Sequence, residues 1–142
     1  MIVRDATAAD AMDVWAWRQD LLTRSMSRTP EEVPLASHLA WFAEALADPA
    51  RTLLIGEAEG AKVGMVRFDH GAVTEVSINV NPALRSRGHG HALLTEAMKR
   101  VAGEVWAEIK EENLASQRLF ERAGFELRTS AGGLRRYLRP VR

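Results

Sequence analysis

The stretch from Val80 to Leu94 constrains the fold of this chain more than any other segment. Apolar and polar residues alternate just before it, as in a strand with one buried face. Pro82 then removes a backbone donor and stops that strand from continuing. Gly88 and Gly90 follow, at the start of an apolar periodicity of helical type. A strand, a glycine-containing loop and a helix therefore succeed one another, and the free backbone N–H groups of a helix N-terminus are suited to binding an anion such as phosphate.

The loop in this stretch also carries two arginines, Arg85 and Arg87, which add positive charge near the helix N-terminus. From the loop alone, two interpretations stay open: a cradle for a pyrophosphate, or a plain strand-to-helix turn with incidental arginines.

Two other phosphate-binding motifs do not fit. A P-loop requires Lys and then Ser or Thr after its second glycine, where this chain has His91 and Ala92, and a dinucleotide-binding fingerprint requires a small residue in place of Leu93.

The composition is that of an ordinary globular domain, with 46% hydrophobic and 27% charged residues in a chain of 142. The lack of cysteine excludes a disulfide scaffold, thiolate-bound zinc and a cysteine nucleophile, and the four histidines include no helical i,i+4 pair that would suggest a metal site. No apolar run approaches the ~18 residues of a membrane span, and no secretory signal begins the chain. The net charge of 0 argues against bulk nucleic-acid binding. We therefore expect a single cytoplasmic domain over residues 1–142, with no nucleic acid, membrane or metal as a partner.

The apolar periodicity changes several times along the chain and predicts the order β-α-α-β-β-β-α-β-α-β-β. A helix that begins at residue 7 must break near the two prolines of residues 29–34. Such an order is typical of a mixed α/β (α+β) domain with helices on both faces of one sheet. The predicted strands are 2–6, 52–58, 62–69, 73–80, 104–109, 125–128 and 134–139. A second helix carries its apolar residues at Leu35, Leu39, Phe42 and Leu46 and stops near Asp48–Pro49, and the later helices are 88–102 and 113–123.

The loop resembles the Arg/Gln-x-x-Gly-x-Gly/Ala motif of the GNAT superfamily of acetyl-CoA-dependent acyltransferases, with Arg85, Gly88 and Gly90 at its defining positions. Residues 113–125 are similar to a second pattern of that family, Asn-x-x-Ser-x-x-Leu-aromatic-x-x-x-Gly-Phe. Both motifs stand in the expected order, and the resemblance extends over essentially the whole chain. It implies a GNAT fold, with a central, mostly antiparallel sheet, and N-acetyl transfer from acetyl-CoA to a primary amine of a small molecule.

The resemblance also implies which residues meet the cofactor. The backbone of the strand before the loop would pair with the pantetheine arm, and the loop itself would receive the pyrophosphate. Three residues of the second motif, which their spacing places on one helical face, would lie toward the thiol. The cofactor-binding residues predicted in this way are Ile78, Val80, Arg85, Ser86, Arg87, Gly88, His89, Gly90, Asn113, Ser116 and Phe120.

Acetyl transfer needs a neutral amine, a donor to the developing oxyanion and a route for sulfur to leave. Glu75 lies on the polar face of the strand that ends at Val80, and we predict that it acts as the general base, through a water; a solvated strand carboxylate is the other interpretation. Many family members carry a tyrosine at the position of Phe120, which can protonate the departing thiolate. Tyr137, the only tyrosine, is predicted to replace it; a core or edge position is the alternative.

Three residues of the first two helices are predicted to contact the acceptor. Arg18 falls on the apolar stripe of the first helix, where an unpaired charge is costly, so it indicates either a ligand or a buried salt bridge. His38 and Trp41 lie together on the second helix, where a role in the core is the other interpretation.

The identity of the acceptor is left open by the sequence. Segments around Trp17–Arg18, His38–Phe42 and Val63–Asp69 resemble the branch of the family that acetylates nucleotide-linked amino sugars, as in pseudaminic acid biosynthesis. A peptide N-terminus, a polyamine and an aminoglycoside are the alternatives, and a cationic acceptor would suit the net charge of −5 on residues 1–84 against +5 on residues 85–142. A non-catalytic acetyl-CoA sensor is the alternative function, and the arginines of residues 135–142 could form the edge of a homodimer.

Overall fold

The computed structural model describes residues 1–27, 30–85 and 87–141, in which strands and helices follow one another nearly as the sequence predicts. Short 3-10 turns at Ala8–Asp10 and Pro82–Leu84 complete the regular structure. The strands are β1 (Ile2–Asp5), β2 (Arg51–Ala58), β3 (Ala61–His70), β4 (Thr74–Val80), β5 (Val105–Lys110), β6 (Glu126–Ala131) and β7 (Leu134–Arg139); the helices are α1 (Ala11–Gln19), α2 (Leu21–Met26), α3 (Leu35–Ala47), α4 (His89–Met98) and α5 (Leu114–Arg122).

The strands form one sheet in the order β1-β2-β3-β4-β5-β7-β6. Neighbouring strands are antiparallel except for β4 and β5, which run parallel because α4 connects them. The predicted mixed, mostly antiparallel α+β sheet is confirmed. In the described residues, no helix has the length and apolar character needed to span a membrane.

Alternate residues of β2 and β3 face two separate cores. Leu53, Ile55 and Met65 pack under α1 and α3, whereas Leu54 and Val66 pack under α4 and α5. Helices therefore cover both faces, as predicted, and burial of each large apolar side chain contributes roughly 1.5–3 kcal/mol. The helical residues that complete these cores are Val14, Trp17 and Phe42 on one side and Leu93, Leu94, Ala97 and Phe120 on the other.

The first predicted helix is in fact two helices. Asp20 leaves the helical conformation (φ −56°, ψ 132°), and its carboxylate accepts a hydrogen bond from the Thr23 N–H at 3.0 Å, which caps α2. As a result Leu21 and Leu22, which continue the apolar pattern of the first predicted helix in the sequence, are 76% and 52% exposed and do not extend the buried stripe of α1.

One further expectation needs correction. Helix α4 ends at Met98 rather than at residue 102, and Val101 packs against the core from the turn that follows. Strand β7 lies between β5 and β6, so its arginines are not on an edge strand, and their part in a homodimer stays a prediction. Every residue of the edge strand β6 is exposed. Residue 142 lies outside the described residues.

A buried carboxylate fixes the start of the chain to the sheet. Asp10 is 1% exposed and accepts hydrogen bonds from both Arg4 Nη atoms at 2.9 Å and from the Thr7 N–H at 2.8 Å. Its Oδ1, which accepts from Arg4 Nη2, also lies 2.8 Å from Lys62 Nζ. The Arg4 contacts above all hold the pKa of this carboxyl well below its usual range.

Candidate active site

A cleft opens in the sheet between β4 and β5. Thr74 lies opposite Val105 and Glu75 opposite Trp106, and these are the pairs that join the two strands among the described residues. Beyond Glu75 the strands diverge, so the edge of β4 that faces β5 carries backbone N–H and C=O groups with no strand partner. Such groups need a hydrogen-bonding partner, and the amides of an extended ligand can provide one.

The first turn of α4 closes one end of this cleft. Gly88, the N-cap of the helix, has a φ of +79°, a conformation that glycine adopts without strain. A Cβ added to Gly90 would lie 3.3 Å from Val80 Cγ2, which places the turn directly against the end of β4. The unpaired N–H groups of this turn fit an anion at the end of the cleft. Arg87 is exposed beside them, His89 is half-buried, and Ser86 lies outside the described residues.

The side chain of Arg85 is turned toward α2. Its Nη2 donates to the Asp20 carboxylate and, at 2.8 Å, to Thr23 Oγ1. The guanidinium lowers the pKa of Asp20 below its usual range. A contact between Arg85 and a phosphate stays a prediction. Asp20 was missed in the sequence, where its position just before a run of helix formers was the available signal for a cap.

Helix α2 bridges the two sides of the cleft. Arg85, in the loop after β4, holds its N-terminus, and Lys110, at the end of β5, donates from Nζ to the Ser25 carbonyl at 3.2 Å. The break at Asp20 is therefore what lets this short helix cross the mouth of the cleft.

On the other side of the cleft, the second motif forms α5. The side-chain oxygen of Asn113, Oδ1, accepts from the Ser116 N–H at 3.2 Å and caps the helix. Phe120 is 3% exposed and packs edge-to-face on Phe125, with ring centroids 5.0 Å apart. The roles of Asn113, Ser116 and Phe120 toward a cofactor stay predictions, as do those of Ile78 and Val80 on β4.

Tyr137 belongs to the same core as Phe120. The residue is completely buried on β7, opposite Ala107 of the strand that borders the cleft. Its hydroxyl has no hydrogen-bond partner among the described residues. An unpaired buried hydroxyl is costly, by about 1–3 kcal/mol, and its part in the reaction stays a prediction.

Glu75 lies where β4 and β5 begin to diverge. Alternation along β4 directs it away from the buried Val76, toward the side of the sheet that carries α1 and α3. Its Oε1 is 3.4 Å from Arg136 Nη2, and both side chains are 38% exposed. The register places a second carboxylate, Glu108 of β5, directly opposite Arg136 on that side. The sequence analysis missed Glu108, although its place in an alternating strand beside the second motif was visible.

The three residues predicted for the acceptor are brought together by α1 and α3. His38 is completely buried, with Nε2 2.8 Å from the Ala11 carbonyl and Nδ1 2.9 Å from Arg18 Nη1. Burial above all, and also the charge of Arg18, lower the pKa of His38. Because a guanidinium can only donate, the contact between Arg18 Nη1 and Nδ1 requires an unprotonated Nδ1 and therefore a neutral ring. Trp41 is half-buried next to it, with the ring centroids 5.9 Å apart.

A second arginine, which the sequence analysis did not single out, completes this group. Arg67 of β3 lies 5.4 Å from the centre of the Trp41 ring, and Arg18 lies 5.2 Å from it. The signal for Arg67 was a charged residue between Val66 and Phe68, in the apolar middle of a predicted strand. Among residues 1–27, 30–85 and 87–141, no carboxylate forms an ion pair with Arg18, so the buried salt bridge considered for it is not found there.

Comparison with known proteins identifies the group to which this fold belongs. Residues 11–125 match the acetyltransferase (GNAT) family. The chain belongs to this family. Among relatives, it is 41% identical over 69 residues to the mycothiol acetyltransferase of Stackebrandtia nassauensis, a match that covers 43% of this chain. The chain spans 22% to 61% of the length of the relatives that it matches.

Solved structures agree with this GNAT fold. The ribosomal-protein-alanine N-acetyltransferase from Brucella melitensis superposes with a TM-score of 0.81 at 24% identity, over 99% of this chain and 100% of that one. The phosphinothricin acetyltransferase from Sinorhizobium meliloti, in complex with AcCoA, gives 0.81 at 23% identity, over 99% and 88%. At these identities the likeness is one of fold. The finer prediction of a branch that acts on nucleotide-linked amino sugars gains no support from these proteins. In the described residues, no group of three or more His, Cys, Asp or Glu side chains is arranged to hold a metal.

Proposed function

We propose that this GNAT protein is an N-acetyltransferase that moves the acetyl group of acetyl-CoA to a primary amine of a small molecule. The observation that carries the proposal is the β4–β5 cleft, which has an unpaired strand edge along its side and the first turn of α4 at its end. A long, amide-containing thioester with a pyrophosphate matches both features. Structures of the same fold contain AcCoA or coenzyme A.

The residues of the cleft would hold the cofactor as follows. The backbone of Ile78 and Val80 would pair with the pantetheine amides, and a free N–H near Val80 would donate to the developing oxyanion. The N–H groups of Gly88, His89 and Gly90 would bind the pyrophosphate. The remaining members of the predicted set, Arg85, Ser86, Arg87, Asn113, Ser116 and Phe120, would surround the phosphates or the thiol end.

The acetyl thioester supplies an acyl group with a thiolate as its leaving group. Glu75 would take a proton from the attacking amine through a water, on the side of the sheet covered by α1 and α3. A thiol pKa of ~8.5 makes departure of the thiolate at neutral pH cost about 2 kcal/mol. We assign protonation of the sulfur to Tyr137, because Phe120 cannot donate and the Tyr137 hydroxyl has no described partner.

We further propose that the acceptor of the acetyl group is a nucleotide-linked amino sugar. The face of Trp41 suits a sugar or a base, and the guanidiniums beside it suit a phosphate. A peptide N-terminus, a polyamine and an aminoglycoside are the competing acceptors. We also propose that the protein is located in the cytoplasm and that it forms a homodimer.

The proposed function is tested by an assay that measures the release of CoA thiol from acetyl-CoA in the presence of a panel of amines. We expect release that depends on the amine, together with binding of CoA measured by calorimetry. Gly90→Val should abolish CoA binding, because a side chain there fills the space against Val80. Gly71→Val is the matched control, since a Cβ at Gly71 meets only the Val73 carbonyl at 3.7 Å.

The outcomes separate the two functions. CoA binding without turnover of any amine would favour the acetyl-CoA sensor. A wild-type protein that binds no CoA, or a Gly90→Val protein that is folded by circular dichroism and binds it normally, would overturn the assignment of the cleft.

A further inference from the structure

We infer that the acceptor carries an anionic group, a carboxylate or a phosphate, which Arg18 and Arg67 bind beside the indole of Trp41. The inference rests on the proposed function for the amine chemistry and adds the class of amine. We call these three residues the arginine–tryptophan cluster.

The geometry of the cluster is the first argument. Both guanidiniums lie within 5.4 Å of the centre of the same indole ring, one from α1 and one from β3. Cation–π contacts of this kind hold an arginine in place and leave the N–H donors at its edge available. Two such forks on one aromatic side chain form a rigid site for an oxyanion.

The charge of the cluster is the second argument. The polar contact of Arg18 among the described residues is with His38, which is neutral. Arg67 uses its Nε for Asp69, at 3.2 Å, and Asp69 is shared with Arg51 at 3.6 Å. Within residues 1–27, 30–85 and 87–141, Asp69 is therefore the one carboxylate that pairs with either of these two half-buried guanidiniums. Burial, and to a smaller extent the charge of Arg67, lower the pKa of Arg18. An anion that contacts both guanidiniums would offset the repulsion between Arg18 and Arg67.

The position of the cluster relative to the predicted base is the third argument. Arg67 lies opposite Ser77 of β4, and Asp69 lies opposite Glu75. The two positions on β4 are two residues apart on the same side of the sheet, which is about 7 Å along the strand. Ser77, which lies opposite Arg67, is exposed to solvent, so this side of β4 is open to a ligand. One small acceptor can therefore place its amine toward Glu75 and its anionic group at the cluster.

The negative charge of residues 1–84 does not oppose this conclusion. Lys62 Nζ is 2.8 Å from both Asp10 and Asp13, and Asp20 is paired with Arg85. These three carboxylates are engaged by other cations of the fold, and none of them is paired with Arg18 or Arg67 among the described residues. The local charge around Trp41 is positive and disfavours a polyamine or an aminoglycoside.

Pairs of amines that differ in one anionic group test the inference. Suitable probes are glucosamine 6-phosphate against glucosamine, and leucine against leucinamide, with spermidine as the cationic member. We expect kcat/KM for at least one anionic member to exceed that of its neutral partner by 10-fold or more. Arg67→Gln and Arg18→Gln should raise the KM for that amine by 10- to 100-fold, with kcat and the KM for acetyl-CoA little changed. Arg51→Gln is the control, because Arg51 shares Asp69 but makes no described contact with Trp41.

Binding of the same probes to the CoA-loaded protein, measured by calorimetry, separates this inference from the proposed function. Turnover of neutral and anionic members with equal efficiency would overturn the anion site and leave the acetyltransferase standing. Anionic members that bind without turnover, and lose binding in Arg67→Gln, would support the site and count against the enzyme. Equal or absent binding of all probes would refute the anion site.

Discussion

Replacement of Glu75 by Gln is the most direct test of the proposed chemistry. The change keeps the size of the side chain and its hydrogen-bonding oxygen but removes the ability to accept a proton. Glu75 stands at the point where β4 and β5 diverge, beside Arg136. If it is the general base, the variant should bind acetyl-CoA normally and turn over slowly.

The structure sets the expected size of both effects. The ion pair with Arg136 has a separation of 3.4 Å and both partners are 38% exposed, so its loss should cost at most about 1 kcal/mol. For a domain of 142 residues this lowers Tm by about 3 to 4 °C. Loss of a general base lowers kcat by roughly 10²- to 10⁴-fold, or about 3–5 kcal/mol in the barrier.

The assay is CoA thiol release as a function of pH, with Tm measured on the same samples. We expect Glu75→Gln to lower turnover and to flatten the high-activity limb of the pH profile. Glu57→Gln is the matched control: it removes a carboxylate of similar exposure, 34%, that pairs with Arg4 at 2.9 Å on β2, outside the cleft. The control should show a comparable small change in Tm and an unchanged profile.

A Glu75→Gln protein with the wild-type pH profile would refute the role of Glu75 as base. Glu108 would then be the next carboxylate to test, because it lies opposite Arg136 on the same side of the sheet. A large fall in Tm together with the loss of activity would show instead that Glu75 supports the fold.

Two further substitutions test buried polar groups. Tyr137→Phe removes a hydroxyl with no described partner and leaves no cavity, so Tm should hold or rise by a few degrees. If this hydroxyl protonates the sulfur, kcat near pH 7 should fall about 30-fold in Tyr137→Phe. Adding Phe120→Tyr to this variant should restore kcat. An unchanged kcat in Tyr137→Phe would show that Tyr137 has a role in the core alone. Asp10→Asn should lower the free energy of unfolding by about 2 kcal/mol near pH 7, since both cationic partners remain about a third exposed. This difference should shrink as the pH falls below about 4, because the native carboxyl has a lowered pKa and the unfolded one takes up a proton first; urea unfolding at pH 7 and pH 3 measures it.

The order and type of the elements could be predicted because they follow from local patterns. Pro82 ends β4 and Gly88 begins α4 through backbone preferences that act within a few residues. The break between α1 and α2 could not be predicted in the same way. Asp20 is compatible with a continuous helix, and part of what holds it in the cap conformation is Arg85, 65 residues further along the chain.

The same limit applies to the buried faces of the helices. The apolar spacing of Leu35, Leu39, Phe42 and Leu46 predicts one buried helical face, yet Leu39 and Leu46 are 40% and 36% exposed, whereas His38 is completely buried. The rotation of α3 is set by packing against α1 and the sheet, where the Ala11 carbonyl and Arg18 satisfy both nitrogens of His38. A pattern of apolar residues cannot predict the burial of a polar residue such as His38.

The family, the glycine loop and the strand that leads into it can be predicted from the amino-acid sequence, because these depend on backbone conformation and on spacing along one element. The tertiary structure alone decided that Arg67 and Arg18 meet on Trp41, that Arg85 holds α2 across the cleft, and that the Tyr137 hydroxyl is buried without a described partner. Those contacts join residues of different elements, and they depend on strand register and helix rotation, which only the packing of the whole domain fixes.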